Sequence, residues 1–163
     1  MATSPAVDYI EVTQTTYDSL GYPRYRWVYS NEPTPWARTD KPLSESRVGH
    51  VASGGIYVGG QVAFHFKDDT TFRLVPTDVP TADLRTTHFA YDLTDSRRDP
   101  NVVFPIDPLR DLVASGEVGE LAPQAITFMG GIYSSRRVRD ELAPAITDNL
   151  RRQEVDVVRL VPV

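Results

Sequence analysis

Residues 125–163 constrain the fold of this chain more than any other stretch. Ala125, Ile126, Thr127, Phe128 and Met129 read as a strand, and Gly130 and Gly131 then turn the chain. Ser134 or Ser135 can cap the helix that follows. Val138, Leu142, Ile146 and Leu150 recur there at four-residue intervals, which gives a core-facing stripe. Pro144 should kink that helix or divide it in two. The closing run 155–163 (Val-Asp-Val-Val-Arg-Leu-Val-Pro-Val) reads as a buried parallel strand. Strand, glycine turn, helix and strand make a βαβ unit. The expected fold is therefore α/β and three-layered: a mostly parallel sheet with helices on both faces and residues 155–161 buried inside it. In open sheets of this kind the chemistry sits just beyond the carboxyl ends of the strands.

Two further segments fit this plan. Val48 to Ser53 is a plausible first strand, followed by the glycine-rich stretch 54–60, and 71–75 reads as a second strand. Residues 107–115 read as a short helix with Leu109, Leu112 and Val113 on one face and Gly116 stopping it. Residues 1–46 differ in character. Tyr22-Pro23 and Glu32-Pro33-Thr34-Pro35-Trp36 oppose long helices, so this part is expected to be an extended arm in front of a 47–163 domain. Its Tyr17, Tyr22, Tyr25, Trp27, Tyr29 and Trp36 supply apolar area that can pack on the domain itself or on a partner subunit.

Composition excludes several classes. The 163 residues contain no cysteine, which removes disulfides, a thiol nucleophile and soft metal ligation, and no resident cofactor or metal is expected. A net charge of −5 opposes general nucleic-acid binding, which needs a basic surface. No apolar run approaches the roughly 20 residues of a membrane span. The start Met1-Ala2-Thr3-Ser4-Pro5 lacks the pattern of a secretory signal, so a cytoplasmic protein is expected. Lys41 and Lys67 are the lysines among 17 basic residues. The arginine excess suits pairing with carboxylate or phosphate, although base composition of the gene explains it as well.

Candidate chemistry gathers in a few places. Gly54 and Gly55 open a stretch where an anion can sit, and a tight turn explains the same residues; the dinucleotide spacing GxGxxG is absent. His50 and His65 lie in strand-like, apolar surroundings that suit structural histidines. His88 sits in Thr87-His88-Phe89-Ala90-Tyr91-Asp92, apparently a loop beside a rigid sheet. A histidine, a tyrosine and a carboxylate together can orient a substrate or move protons, so His88, Tyr91 and Asp92 are the catalytic candidates. Asp99, in a charged stretch with Asp95, Arg97 and Arg98, is either a site residue or part of a solvated loop. Neither the GxSxG nor the GxxxxGK[ST] motif occurs.

From Asn31 onward the order of motifs resembles the selenoprotein B family of glycine, betaine, sarcosine and D-proline reductases. The matching pieces are Pro33-Thr34-Pro35-Trp36, Lys41-Pro42-Leu43, Gly54-Gly55-Ile56-Tyr57 and Phe72-Arg73-Leu74-Val75-Pro76. His88 to Asp92, Asp99 to Asp107, Phe128-Met129-Gly130-Gly131 and Val155-Asp156-Val157-Val158 complete the series. Pro108 stands where the family suggests a basic residue. The resemblance implies an oxidoreductase subunit that cleaves a carbon–nitrogen bond reductively in a small amino acid derivative. It implies substrate binding at Gly54, Gly55, Asp99, Asn101, Gly130 and Gly131. The family's nucleophile is a selenocysteine, or a cysteine in its place, on a loop directly after the strand that here ends at Val163, and neither residue is present.

The first expectation is therefore a truncated or cysteine-less member of this family, inactive alone, whose codon after Val163 is UGA. A non-catalytic subunit of a hetero-oligomeric enzyme is the alternative, and it predicts exposed apolar surface at a sheet edge. A repurposed acid–base enzyme using His88, Tyr91 and Asp92 is a third. A homodimer or a hetero-oligomer with a partner subunit is expected in each family-based case.

Overall fold

The computed structural model describes residues 8–24, 28–29 and 31–163. The readings that rest on Tyr25, Trp27 and residues 1–5 lie outside the described residues. Contacts divide the chain into two units, 1–35 and 36–163.

The first unit corrects the expectation of an extended arm, because it contains helix α1 (Tyr9–Ser19). Residues 6–22 hold no proline, and the Asp8 carboxylate accepts from the backbone N–H of Ile10 and Glu11 at 3.1 Å each. That satisfies two donors that a helix start otherwise leaves open. The turn at Gly21-Tyr22-Pro23 stops it, and the Tyr17 and Tyr22 rings meet at 5.7 Å. Helix α1 buries no residue.

The larger unit is mixed α/β and organised around strand β1 (Arg47–Ala52). In chain order it continues with β2 (Ile56–Val58), β3 (Arg73–Pro76), β4 (Leu84–Thr86), α2 (Thr94–Arg98) and α3 (Ile106–Ala114). It closes with β5 (Glu120–Leu121), β6 (Gln124–Thr127), α4 (Ser135–Arg137), α5 (Ala143–Arg152) and β7 (Val157–Val161). Strand β7 runs parallel to β1 from Val48↔Val157 to Ala52↔Val161. On the other side of β1, β5 and then β6 pair with it in parallel, ending at Ala52↔Thr127. Strand β3 adds to β6 antiparallel, so the sheet is mixed. The stretch 56–58, read as part of a glycine turn, is a strand paired antiparallel with β4.

Adjacent β1 residues point to opposite faces of the sheet, and each side has its own core. Ala52 joins Ile56, Val75, Phe104 and Ile106 at the start of α3. Val51 joins Ile126 and Leu150 of α5, with Ile146 packed alongside. Ile146 and Leu150 of the four-residue stripe thus do the packing foreseen for them, and Leu142 is buried as well. Pro144 does not divide the helix. A π-helical stretch over Val138–Leu142 widens the backbone just before it, in place of the break that a proline's missing N–H usually causes.

Strand β7 departs from expectation in position. It is parallel, but it lies at the sheet edge, with no strand on its outer side among the described residues. Leu160 is 69% exposed. The apolar run foretells faces that need covering; it does not say whether the cover lies within these residues. Among the described residues no helix is long and apolar enough to cross a membrane.

At the centre of β1 stands His50, 1% exposed. Its ring lies 4.7 Å from that of Phe104, and both ring nitrogens lack a hydrogen-bond partner among the described residues. Burial, with the charge of Arg159 adding to it, pushes its pKa down to about 4. The unfolded chain takes up this proton near pH 6.5 and the folded chain only near 4. Stability is therefore intact above about 6.5 and is lost as pH falls toward 4, in total about 3 kcal/mol. We expect His50→Leu to be at least as stable as the parent at pH 7 and to lose about 3 kcal/mol less on acidification. Urea unfolding at pH 7 and at pH 4 reads both quantities.

Candidate functional site

The parallel register brings the carboxyl ends of β1, β6 and β7 side by side, and the residues just beyond them are stitched together. Ser53 N–H donates to the Val161 carbonyl at 3.0 Å, and Val163 N–H donates to Ser53 Oγ at 2.9 Å. On the other side Gly130 N–H donates to the Ser53 carbonyl and Gly55 N–H to the Phe128 carbonyl, both at 2.9 Å. Gly54 forms a bridge with Met129. Gly54, Gly55, Gly130 and Gly131, nominated separately from sequence, therefore belong to one small patch.

Two of these glycines lie in close contact with the His88 loop. Gly55 has φ +71°, and a Cβ there would run into the Thr87 carbonyl. Thr87 N–H in turn donates to the Gly55 carbonyl at 2.9 Å. A Cβ on Gly131 would overlap the Phe89 ring. These two close approaches hold the His88 loop against the glycine patch.

His88 follows β4 and is 8% exposed. Its Nδ1 accepts from Ala90 N–H at 3.0 Å. A neutral imidazole that accepts at Nδ1 carries its proton on Nε2, and that atom is buried with no partner among the described residues. Burial lowers the His88 pKa, which keeps the ring neutral. The ring lies 5.9 Å from that of Phe89 and 4.8 Å from that of Tyr91. The site thus contains a fixed, uncharged N–H donor with no acceptor among the described residues.

Tyr91 is held by its hydroxyl, which donates to the Gly54 carbonyl at 2.8 Å and lies 3.4 Å from Ser96 Oγ. Burial raises its pKa, so the phenol keeps its proton. Asp92 is exposed and faces the start of α2. Its Oδ1 accepts from Thr94 Oγ1 at 2.7 Å and from Thr94 N–H at 2.9 Å, and those bonds lower its pKa. Its hydrogen bonds thus lead away from His88. Asp99 accepts from Asn101 N–H at 2.9 Å and from Asn101 Nδ2 at 3.0 Å. Asn101 also spans to Asp107, donating through Nδ2 at 2.9 Å and accepting at Oδ1 from Asp107 N–H at 3.0 Å. Asp99 and Asn101 thus brace the loop before α3, and their hydrogen bonds do not reach the glycine patch.

Several residues of this region have no signal in the sequence. Ser53 joins all three strand ends, Ser96 is buried behind Tyr91, and Phe89 covers His88. Their roles arise from partners distant along the chain, and no local spacing marks them.

A parallel-strand edge, glycine turns and a polar loop define a site class common to α/β enzymes. Residues 36–162 match the glycine/sarcosine/betaine reductase selenoprotein B family, and the chain belongs to that family. It is 34% identical over 134 residues to D-proline reductase subunit gamma of Acetoanaerobium sticklandii, covering 82% of this chain and 55% of that protein. It is 31% identical over 126 residues to glycine reductase complex component B subunit gamma of Symbiobacterium thermophilum, covering 74% of this chain and 29% of that one. The chain thus spans about half, or less, of the length of these relatives. No solved structure matches it significantly.

The two close approaches should respond differently to an added methyl group. Gly55→Ala meets backbone and a left-handed φ, so we expect a loss of about 2 kcal/mol or more in thermal unfolding. Gly131→Ala meets a half-exposed ring that can swing outward, so we expect less than about 1 kcal/mol. NMR titration of Gly131→Ala should show the His88 pKa moving up toward its ordinary value, because the displaced ring lets water in.

Proposed function

We propose that this chain is part of a subunit of a multi-component reductase that cleaves a carbon–nitrogen bond in a small amino acid derivative. In this reading it positions the substrate and does not attack it. The observation that carries the reading is the buried Nε2–H of His88, unpartnered among the described residues, on a loop held against the glycine patch beyond three parallel strand ends. A preformed neutral donor of this kind can hold a substrate oxygen without adding a charge to the site. Tyr91, fixed on Gly54, orients the imidazole from one side. Phe89 stacks on the same imidazole, and in this reading it shifts to admit a substrate to the buried Nε2.

These 163 residues contain no cysteine. A selenol or thiol nucleophile, which family membership suggests, therefore has to come from protein outside them. The relatives are named as subunits, which supports a hetero-oligomer. So does the surface beside β7. Val158 and Leu160 border an apolar hollow of about 360 Å³, lined also by Val51, Phe128, Ile146 and Leu150. A second apolar hollow of about 320 Å³ shares Val51, Phe128 and Leu160 and reaches Ser53 and Pro162. An open strand edge next to apolar surface suits burial against further protein. In the proposed assembly that cover lies next to the site.

The test is reconstitution with the thiol- or selenol-bearing polypeptide. We expect His88→Gln to assemble normally and to lower kcat/KM by about 10- to 100-fold, the range for losing one buried hydrogen bond to a substrate group. Leu160→Glu should instead prevent assembly, read by gel filtration, while leaving the isolated chain folded. A His88→Gln complex with parental kcat/KM would remove His88 from the reaction. Assembly unaffected by Leu160→Glu would remove the β7 surface from the interface.

A further inference from the structure

A cleft of about 590 Å³ lies between β4 and α2, and its lining includes Arg85, Arg97, Arg98, Thr81, Thr86 and Tyr57. That volume falls within the range of small-molecule sites. The lining runs against the composition of the chain: the net charge is −5, yet three guanidinium groups border this cleft and one carboxylate, Asp99, faces them. Oδ1 of Asp99 is already engaged by the backbone and side-chain N–H groups of Asn101.

The arginines are arranged with their donors in reserve. Arg85 Nη1 donates to the carbonyls of Ala82 at 2.8 Å and Leu84 at 2.7 Å. Those two bonds fix the plane of the guanidinium and leave Nε and Nη2 without acceptors among the described residues. The Arg97 side chain makes no hydrogen bond or ion pair among the described residues. Arg98 meets Asp95 at 3.7 Å, with both side chains more than 70% exposed, a contact worth little in water. Cations gathered around one cleft repel one another, and an anion bound among them offsets that cost. Guanidinium forks match the paired oxygens of carboxylate and phosphate. The hydroxyls of Thr81 and Thr86 add neutral donors, and Leu84 and Pro100 supply an apolar part of the wall.

We propose that this cleft binds a small molecule carrying a carboxylate or phosphate group, with Arg85 and Arg97 as its principal contacts. The proposal stands independently of the reductase reading, because none of these groups belongs to the glycine patch or the His88 ring.

The experiment is calorimetric titration of the whole chain with succinate and, separately, with inorganic phosphate, with chloride holding the ionic strength constant. Saturable binding of either anion, with Kd in the millimolar range or tighter, is expected, and the tighter of the two identifies the headgroup. Arg97→Gln should weaken that binding about tenfold, the effect of losing one charge-assisted pair. It should leave the melting temperature without ligand nearly unchanged, because among the described residues the Arg97 side chain makes no hydrogen bond or ion pair and acts on Asp92 and Tyr91 through its charge alone. Arg152→Gln, at the end of α5, controls for loss of one positive charge anywhere on the chain and should bind as the parent does. No saturation by either anion up to about 20 mM, a concentration that would detect even millimolar sites, overturns the proposal. Equal weakening by Arg97→Gln and Arg152→Gln overturns it as well, since binding would then follow net charge alone.

Discussion

Strand β1 is hydrogen-bonded along both of its edges, and the other features of the larger unit take their positions from that. One edge carries β7 and the other carries β5 followed by β6, all in the same direction. Because the pairings are parallel, the register that aligns Ala52 with both Thr127 and Val161 also aligns whatever follows them. A slip by one residue would turn every side chain of β7 to the opposite face. The opposite end is guarded against such a slip. Asp156 accepts from the backbone N–H of Arg47 at 2.8 Å and from Lys41 at 2.7 Å. Arg47 reaches in turn to Glu120 at 2.8 Å and to the Gln153 carbonyl at 2.8 Å. Exposed ion pairs contribute little singly, but this group ties β1 at one point to both of its neighbours. The charged group joins the strands at one end, and the parallel register aligns the residues of the site at the other.

Two histidines are buried in this framework under different terms. His50 has neither nitrogen satisfied, so its burial is a plain cost to stability, and acid increases that cost. His88 has one nitrogen satisfied by its own loop and one left over. A single accepting bond from Ala90 is enough to decide which nitrogen carries the proton and where the donor lies. Sequence context ranked His88 above His50 as a functional candidate, because a loop beside a sheet edge differs from the middle of a strand. The geometry gives that ranking a physical content, since a half-satisfied buried imidazole retains a use for its free N–H. Asp92 shows the opposite case. Its proximity in sequence to His88 suggested a working carboxylate, and its hydrogen bonds to Thr94 commit it to the start of a helix.

Much of the fold was legible because it rests on local periodicity. The stripe Val138, Leu142, Ile146 and Leu150 announced the helix before β7, and Leu109 with Gly116 announced α3. The parallel sense of β7 followed from the βαβ order. Its place at the edge did not, since an apolar run records that cover is needed and not where the cover lies. The antiparallel sense of β3 was equally hidden, because strand direction relative to a distant neighbour leaves no mark in five residues. Helix α1 was masked by prolines that flank it without entering it. The candidate site divided in the same way. Glycines and the His88 loop stood out by residue type, whereas Ser53, Ser96 and Arg97 matter through neighbours that only the folded chain supplies.

The surface beside β7 links association to chemistry in the proposed reductase. The two apolar hollows meet at Val51, Phe128 and Leu160 and extend to Ser53, the residue that joins the strand ends. A hydrogen bond from a neutral imidazole gains strength as water leaves its surroundings. A cover over those hollows would dry the region next to the glycine patch without touching His88. The open sheet edge is thus a liability for the isolated chain, inviting unwanted pairing. In the proposed assembly it would be the means by which a partner changes the polarity of the site. In the proposed function, a chain built this way influences the reaction without a reactive group in these residues, through how strongly the substrate's oxygens are held.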